Sequence, residues 1–393
     1  MAVEQVTRPR TARVDAIDLA RGLALIGMMF VHLGPRWVGD TPPWGQMIAS
    51  GRAAPLFAML AGVALSLVHR RDPDGAGSVR ATCIRALILL LLGLGLGSLD
   101  QMPVYVILAF YAVLIVIALP FRGLSARTLI LLGLVWAVVV PVLLLWLQIE
   151  HAPVISDQAE LSDVVPPWSL LTELVVWGAY PAGVWMAYVL VGLGIGRLDL
   201  GRVRVALSVL GGGAALLAGS LAIGGAAISR GVFDDWYVRG WRLFFVTEPY
   251  PFEPATWHEL WLVGEHTSRP LNVLGAIGSA LLVIGLCALV VRLPWARLAL
   301  LPLRRAGAMT LSLYTVHVLW SWRLAVRATE SEDPTYYLGS TGDWLLQVVV
   351  LLVVATVWLH LARRGPIESV IRVVSTGRLH DSRTHRERKN APA

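Results

Sequence analysis

Charge is what this sequence has least of. Only 15 % of its 393 residues are charged, against about 25 % in a soluble globular domain, and that shortage excludes an ordinary soluble fold. Lysine is nearly absent: Lys389 stands alone among 33 basic residues, the others being arginine. Cysteine is confined to Cys83 and Cys287. Both fall in the half of the bilayer assigned below to the cytoplasmic side, so no structural disulfide is expected. A secretory cleavage site is missing as well. Arg8, Arg10 and Arg13 precede an apolar core, but Arg21 interrupts that core and no small-x-small motif follows it. A retained membrane helix is the expectation. No internal repeat is visible.

What the chain has in excess is apolar residues, at 56 %, with a mean hydropathy of +0.66. Stretches long enough to cross a bilayer run at 17–34, 53–69, 83–99, 103–120, 128–148, 179–196, 203–228, 271–292, 307–323 and 343–362. A span needs about 17–25 such residues. The expectation is an all-α polytopic membrane protein with about ten transmembrane helices around a polar cavity. Segment 165–178, either an extension of the sixth span or an interfacial helix, would make an eleventh. Residues 1–376 form one transmembrane domain and 377–393 a polar, disordered tail. The net charge of +7 and pI near 9.8 would suit nucleic acid, but the arginines punctuate apolar runs instead of clustering on one surface, so no nucleic-acid partner is expected. With the N-terminus inside, 24 of the 33 basic residues fall in inner segments and the tail. The positive-inside bias places both termini in the cytoplasm and the chain in the cytoplasmic membrane.

The first span carries the most informative pattern. Asp18, Arg21 and His32 lie within Asp15-Ala-Ile-Asp18-Leu-Ala-Arg21-Gly-Leu-Ala-Leu-Ile-Gly-Met-Met-Phe-Val-His32. Eleven helical residues return to within roughly 20° of the starting direction, about 16 Å along the axis, so Arg21 and His32 share a face. Asp18, three residues before Arg21, joins it. Such groups inside a membrane are costly unless they line a polar cavity, which marks a functional stripe. Asp18 and Arg21 could instead form an ion pair at the headgroups.

This Arg-x10-His pattern in a first transmembrane helix resembles the membrane acyltransferase superfamily, which includes the acyltransferase-3 proteins and the heparan-α-glucosaminide N-acetyltransferase family with its bacterial relatives. Pro55-Leu-Phe57-Ala-Met-Leu-Ala-Gly62-Val-Ala-Leu-Ser66 and Gly194-Ile-Gly196-Arg197-Leu-Asp199 are similar to helices of the heparan-acetyltransferase group. Ala306-Gly-Ala-Met-Thr310-Leu-Ser312-Leu-Tyr314-Thr-Val-His317 and Arg364-Gly-Pro-Ile-Glu368 look like C-terminal elements of the bacterial relatives. The resemblance implies an acyl-CoA donor, acetyl-CoA above others, arriving from the cytoplasm. It also implies an extracytoplasmic sugar or glycolipid acceptor and a histidine central to the transfer.

The residue types suit that chemistry. The imidazole of His32 can take a proton from a hydroxyl or amine, or act as nucleophile. Arg21 offers a fork of donors to phosphate or to a thioester carbonyl. Catalytic candidates are therefore His32, Arg21, His317 and Asp18. His317 lies at a depth close to His32, with Tyr314 three residues before it; alternatively it is a buried histidine bonded to a carbonyl. Arg21, Arg70, Arg71, Arg85, Arg304, Arg305 and Arg364 are candidates for the donor's phosphates, although most inner arginines serve orientation alone. Arg52, Glu265, His266, Arg269 and Tyr314 are candidates for the acceptor site. Trp257-His258-Glu259 and Glu265-His266-Thr-Ser-Arg269 pair imidazoles with carboxylates in the outer loop, but their spacing diagnoses no zinc site, and no metal is expected. Gly93-x-Gly95-x-Gly97 and Gly192-x-Gly194-x-Gly196 lack a strand–turn–helix context and read as helix-packing faces.

The expected function is a membrane acyltransferase moving a short acyl group from acyl-CoA to an amine or hydroxyl of an envelope sugar, with membrane lipid around it and a homodimer as one open arrangement. A secondary transporter or channel is the alternative, although that reading calls for related halves with interrupted helices. A third is an inactive relative serving assembly or sensing.

Overall fold

A computed structural model describes residues 9–36, 38, 42–70, 76–151, 158–232, 255–331 and 340–376. Arg71, segment 233–254 of the long outer loop and the tail 377–393 lie outside the described residues. What is described is helical. The first half contains α1 (Pro9–Leu33), α2 (Trp44–Ala49), α3 (Ala53–His69), α4 (Ala76–Gly97), α5 (Leu108–Ile117), α6 (Ala126–His151), α7 (Pro167–Thr172), α8 (Ala182–Ile195) and α9 (Val203–Ser229). The second half contains α10 (Pro270–Val290), α11 (Pro294–Ala299), α12 (Leu301–Ala308), α13 (Thr310–Glu330), α14 (Thr341–Leu361) and α15 (Pro366–Thr376).

Each of the ten apolar stretches contains a helix, yet length and apolarity qualify fewer of them as spans. Six segments pass: Trp44–His69, Ser78–Gly97, Ala126–His151, Val203–Ser229, Pro270–Val290 and Thr341–Leu361. The chain is a polytopic membrane protein on that basis. Segment 165–178 joins the sixth span through a sharp bend. Pro167–Trp177 and Ala182–Ile195 are bent by 58° at a short break, so together they form a broken span or a re-entrant loop. The turn Glu173–Trp177 that precedes the bend has π-helical hydrogen bonding, a common cause of helix deflection. The fourth stretch yields only the ten-residue α5, followed by a 3-10 turn at Leu119–Gly123.

α8 is the axis of the bundle. All of its residues except Gly183 are buried, as expected of a helix that is apolar on every side. It packs against α3, α5, α6 and α10. A Cβ on Gly192 would strike the carbonyl of Met59, and one on Gly62 would strike that of Val189, so α3 and α8 cross backbone against backbone.

A second close approach sets the position of α1. A Cβ on Gly307 of α12 would meet the carbonyl of Asp18. Gly307→Val is accordingly expected to push α12 from α1 and to lower stability by about 1–3 kcal/mol, read from thermal unfolding of the purified protein. An unchanged unfolding temperature would show that the two helices can part without loss.

The same end of α1 is held electrostatically. Arg297 lies 2.6 Å from Asp15, and Arg304 makes a second ion pair with that carboxylate. Arg304 also donates to the carbonyl of Arg297 (3.0 Å), and Arg305 to that of Thr356 on α14 (2.8 Å). Cys83 and Cys287 are both free thiols.

Candidate active site

Two cavities lie along α1, one on each part of its polar stripe. The larger, about 470 Å³, is enclosed by α1, α3, α4, α5, α12, α13 and α15. Its lining is chiefly apolar, with Arg21, Arg85, Arg372 and Glu368 as charged groups and hydroxyls from Tyr111, Tyr314 and four serines and threonines. The smaller, about 50 Å³, is lined by His32, His266, Ser268 and Asn272, and by Tyr105, Tyr180, Trp185 and Tyr188. Met28 and Ile107 line both. Both side chains are buried, so two apolar groups separate the chambers.

At the Arg21 end, Asp18 stands 3.6 Å from Arg21 on the next turn. Arg85 faces the same space from α4, close enough to Arg21 and to Glu368 to feel the charge of each. Glu368 is anchored. Its carboxylate accepts from the backbone N–H groups of Leu311 (2.8 Å) and Ser312 (3.2 Å) and from Ser312 Oγ (2.5 Å). This places a carboxylate at the start of α13, where unpaired N–H groups favour negative charge. Arg21, Arg85 and Arg372 thus line a chiefly apolar chamber together with the Glu368 carboxylate.

At the other end of the stripe, His32 and His317 come together. His32 Nδ1 is 2.8 Å from His317 Nε2, and the ring planes are parallel to within 2°. His317 is fully buried, and its Nδ1 lies 2.7 Å from Oε1 of Gln347 on α14. Three helices thus supply one line of hydrogen bonds ending at the smaller cavity.

The wall facing His32 is strained and aromatic. His266 and Ser268 adopt φ of 57° and 53°, a left-handed conformation that costs a residue other than glycine about 1–3 kcal/mol and tends to persist where function requires it. The His266 ring sits 5.4 Å from that of Tyr180 and 6.1 Å from that of Tyr105. Asn272 Nδ2 donates to the carbonyls of Gly264 (2.7 Å) and Val263 (3.3 Å), fixing the strained turn to α10.

Residues 13–227 match the family model described as heparan-alpha-glucosaminide N-acetyltransferase, catalytic. The chain belongs to this family. Residues 243–378 match a second model, described as a protein of unknown function (DUF418). No curated protein matches the sequence. The family match contains α1 to most of α9, with Arg21, His32 and Arg85, while the second match contains His266, His317, Gln347, Glu368 and Arg372. The hydrogen bond between His32 and His317 joins the two matched regions.

The sequence candidates separate into distinct groups. Arg21, Arg85 and Tyr314 line the larger cavity, Asp18 pairs with Arg21, and His32 and His266 line the smaller one. Tyr314 turns toward the septum, where its Oη accepts from the N–H of Ile107 at 3.4 Å. Arg52 and Glu265 share a narrow crevice with Ser50 and Asn272 beside the smaller cavity. Ser50 Oγ donates to the buried Glu265 carboxylate, Arg36 lies 3.9 Å from it, and Arg52 donates to the carbonyl of Met47 (2.6 Å).

Five candidate arginines lie away from the two cavities along α1. Arg304 and Arg305 are committed to Asp15 and to backbone carbonyls, as described above, and neither lines a cavity. Arg364 and Arg70 line neither cavity; Arg70 donates to the carbonyl of Arg197 (3.4 Å), and the Arg364 carbonyl accepts from Trp358 Nε1 (2.8 Å). Arg269 does not line the smaller cavity. Its guanidinium is buried against Glu259 through two hydrogen bonds and donates to Gln148 Oε1 at 2.7 Å. It fastens the turn at Trp257–Trp261 and the start of α10 to the end of α6. Sequence reading missed Gln347, Arg372 and the four-residue aromatic wall. The available signal for Gln347 was one amide within the apolar run Leu345-Leu-Gln347-Val-Val-Val350. Among the described residues, no group of three or more His, Cys, Asp and Glu is arranged to hold a metal ion.

Proposed function

We propose that the protein transfers an acetyl or similarly short acyl group from acyl-CoA to an amine or hydroxyl of an extracytoplasmic sugar or envelope glycolipid. The observation that carries this reading is the position of one helix, α1, against two chambers of opposite chemistry. Cations face the larger and an imidazole with aromatic rings faces the smaller. Arg21, Arg85 and Arg372 suit an anionic donor, and the apolar lining suits its uncharged arm. The aromatic wall suits the apolar face of a sugar ring.

In this scheme both termini lie in the cytoplasm, about ten helices cross the cytoplasmic membrane, and the larger chamber opens inward. His32, acting as base, takes the proton of the acceptor hydroxyl or amine. The acceptor oxygen or nitrogen bonds to the thioester carbonyl carbon, the carbon–sulfur bond breaks, and the proton passes to the departing thiolate to give free coenzyme A. His317 holds the His32 ring in place.

Acyl-CoA binding tests the reading. Acetyl-CoA should raise the unfolding temperature of the purified protein, and Arg21→Ala should weaken its apparent affinity roughly tenfold, about 1.4 kcal/mol. Failure of every acyl-CoA to bind, together with solute flux in liposomes, would overturn it in favour of a transporter.

A further inference from the structure

We infer that Gln347 is a positioning residue that fixes the proton arrangement of the two histidines and leaves a lone pair on His32 Nε2. Gln347 is fully buried in α14, and its Oε1 is 2.7 Å from His317 Nδ1. A carbonyl oxygen can only accept, so His317 carries its hydrogen on Nδ1. His317 Nε2 is then an acceptor, and the 2.8 Å contact must be a donation from His32 Nδ1–H. A neutral imidazole holds one N–H, so Nε2 of His32 keeps its lone pair. His32 lines the smaller cavity, and that nitrogen is the only one on the ring not used by His317.

The amide orientation is decisive because the two ends of a glutamine differ only in hydrogen bonding. Turned over, the Gln347 amide would donate to His317 Nδ1. His317 Nε2–H would then donate to His32 Nδ1, and the hydrogen of His32 would move to Nε2. That form offers a donor to the cavity and no base. The relay therefore converts one amide orientation on α14 into the protonation of a ring on α1, across three helices. Gln347 Nε2 meets no hydrogen-bond partner among the described residues. The amide is retained there for its oxygen at the expense of its nitrogen, a costly arrangement for a group with only a packing role.

The kinetic arm of the test rests on the acyl-transfer reading, and the spectroscopic arm does not. In protein labelled with 15N-histidine, with the His32 signals assigned by their loss in His32→Ala, wild-type His32 should show a non-protonated Nε2. Gln347→Met, close in volume but without an acceptor, should redistribute the hydrogen between the His32 nitrogens. It should also lower kcat by roughly 10²-fold with KM for acetyl-CoA unchanged. Gln347→Glu keeps an acceptor at that position and should hold both the wild-type tautomer and kcat within about threefold. A Gln347→Met protein with the wild-type 15N pattern overturns the inference, as does a Gln347→Glu protein with a scrambled one. A tautomer that moves as expected in a protein inactive toward every acyl-CoA would defeat the functional reading and leave this inference standing.

Discussion

His32→Ala is expected to lower acyl transfer by roughly 10³-fold while leaving acetyl-CoA binding intact. The reason is spatial. His32 lines the smaller chamber, whereas Arg21, Arg85 and Arg372 line the larger, and buried Met28 and Ile107 lie between. Removing the imidazole takes away the group that accepts a proton without touching the cations proposed to hold the donor. Transfer of labelled acetyl from acetyl-CoA to an envelope-glycan acceptor measures the first effect, and a ligand-induced shift in unfolding temperature measures the second. A His32→Ala enzyme that transfers at the wild-type rate would remove His32 from catalysis. Loss of binding as well as transfer would mean that the chambers act as one.

Arg269→Ala should be the most destabilising single change, at about 3–5 kcal/mol. Arg269 and Glu259 are both buried, and deleting the guanidinium strands a carboxylate that has no other ion-pair partner among the described residues. Gln148 loses its donor at the same time. The double replacement Arg269→Met with Glu259→Leu should recover most of the loss, since a buried ion pair can be exchanged for apolar residues at little net cost. Chemical denaturation in detergent would separate the outcomes. An Arg269→Ala protein of normal stability with weakened acceptor binding would return Arg269 to the substrate site.

The helices were legible because long apolar runs have no other stable form in a bilayer, and each of the ten runs contains one. Their fitness to span was less legible. Residues 103–120 read as one apolar length, but Pro103 and the turns at either end leave α5 only ten residues. The break at Gly178–Pro181 was hidden for the same reason, since hydropathy averages over a bend. At the site, the shared face of Arg21 and His32 followed from helical period alone. The meeting of His32 with His317, 285 residues away, depends on how α1 and α13 pack, which no local pattern encodes. The positive-inside count assigned Arg304 and Arg305 to inner segments, but it could not tell a guanidinium facing a cavity from one tied to Asp15 or Thr356. For Arg269, flanking a span and facing its mouth look alike in one dimension, and its buried pairing with Glu259 had no signature there.

The septum of Met28 and Ile107 has an electrical consequence. In the proposed topology, with the chambers open to opposite sides of the membrane, a transmembrane potential would fall across the short apolar layer between them, where each elementary charge moved costs about 2.3 kcal/mol per 100 mV. The phosphates of an acyl-CoA carry charge and would be held on one side of that layer by the field as well as by arginine. The acyl group is neutral. In the proposed reaction it moves one way while the acceptor's proton passes the other way to the thiolate, so a completed turnover carries no net charge across that layer.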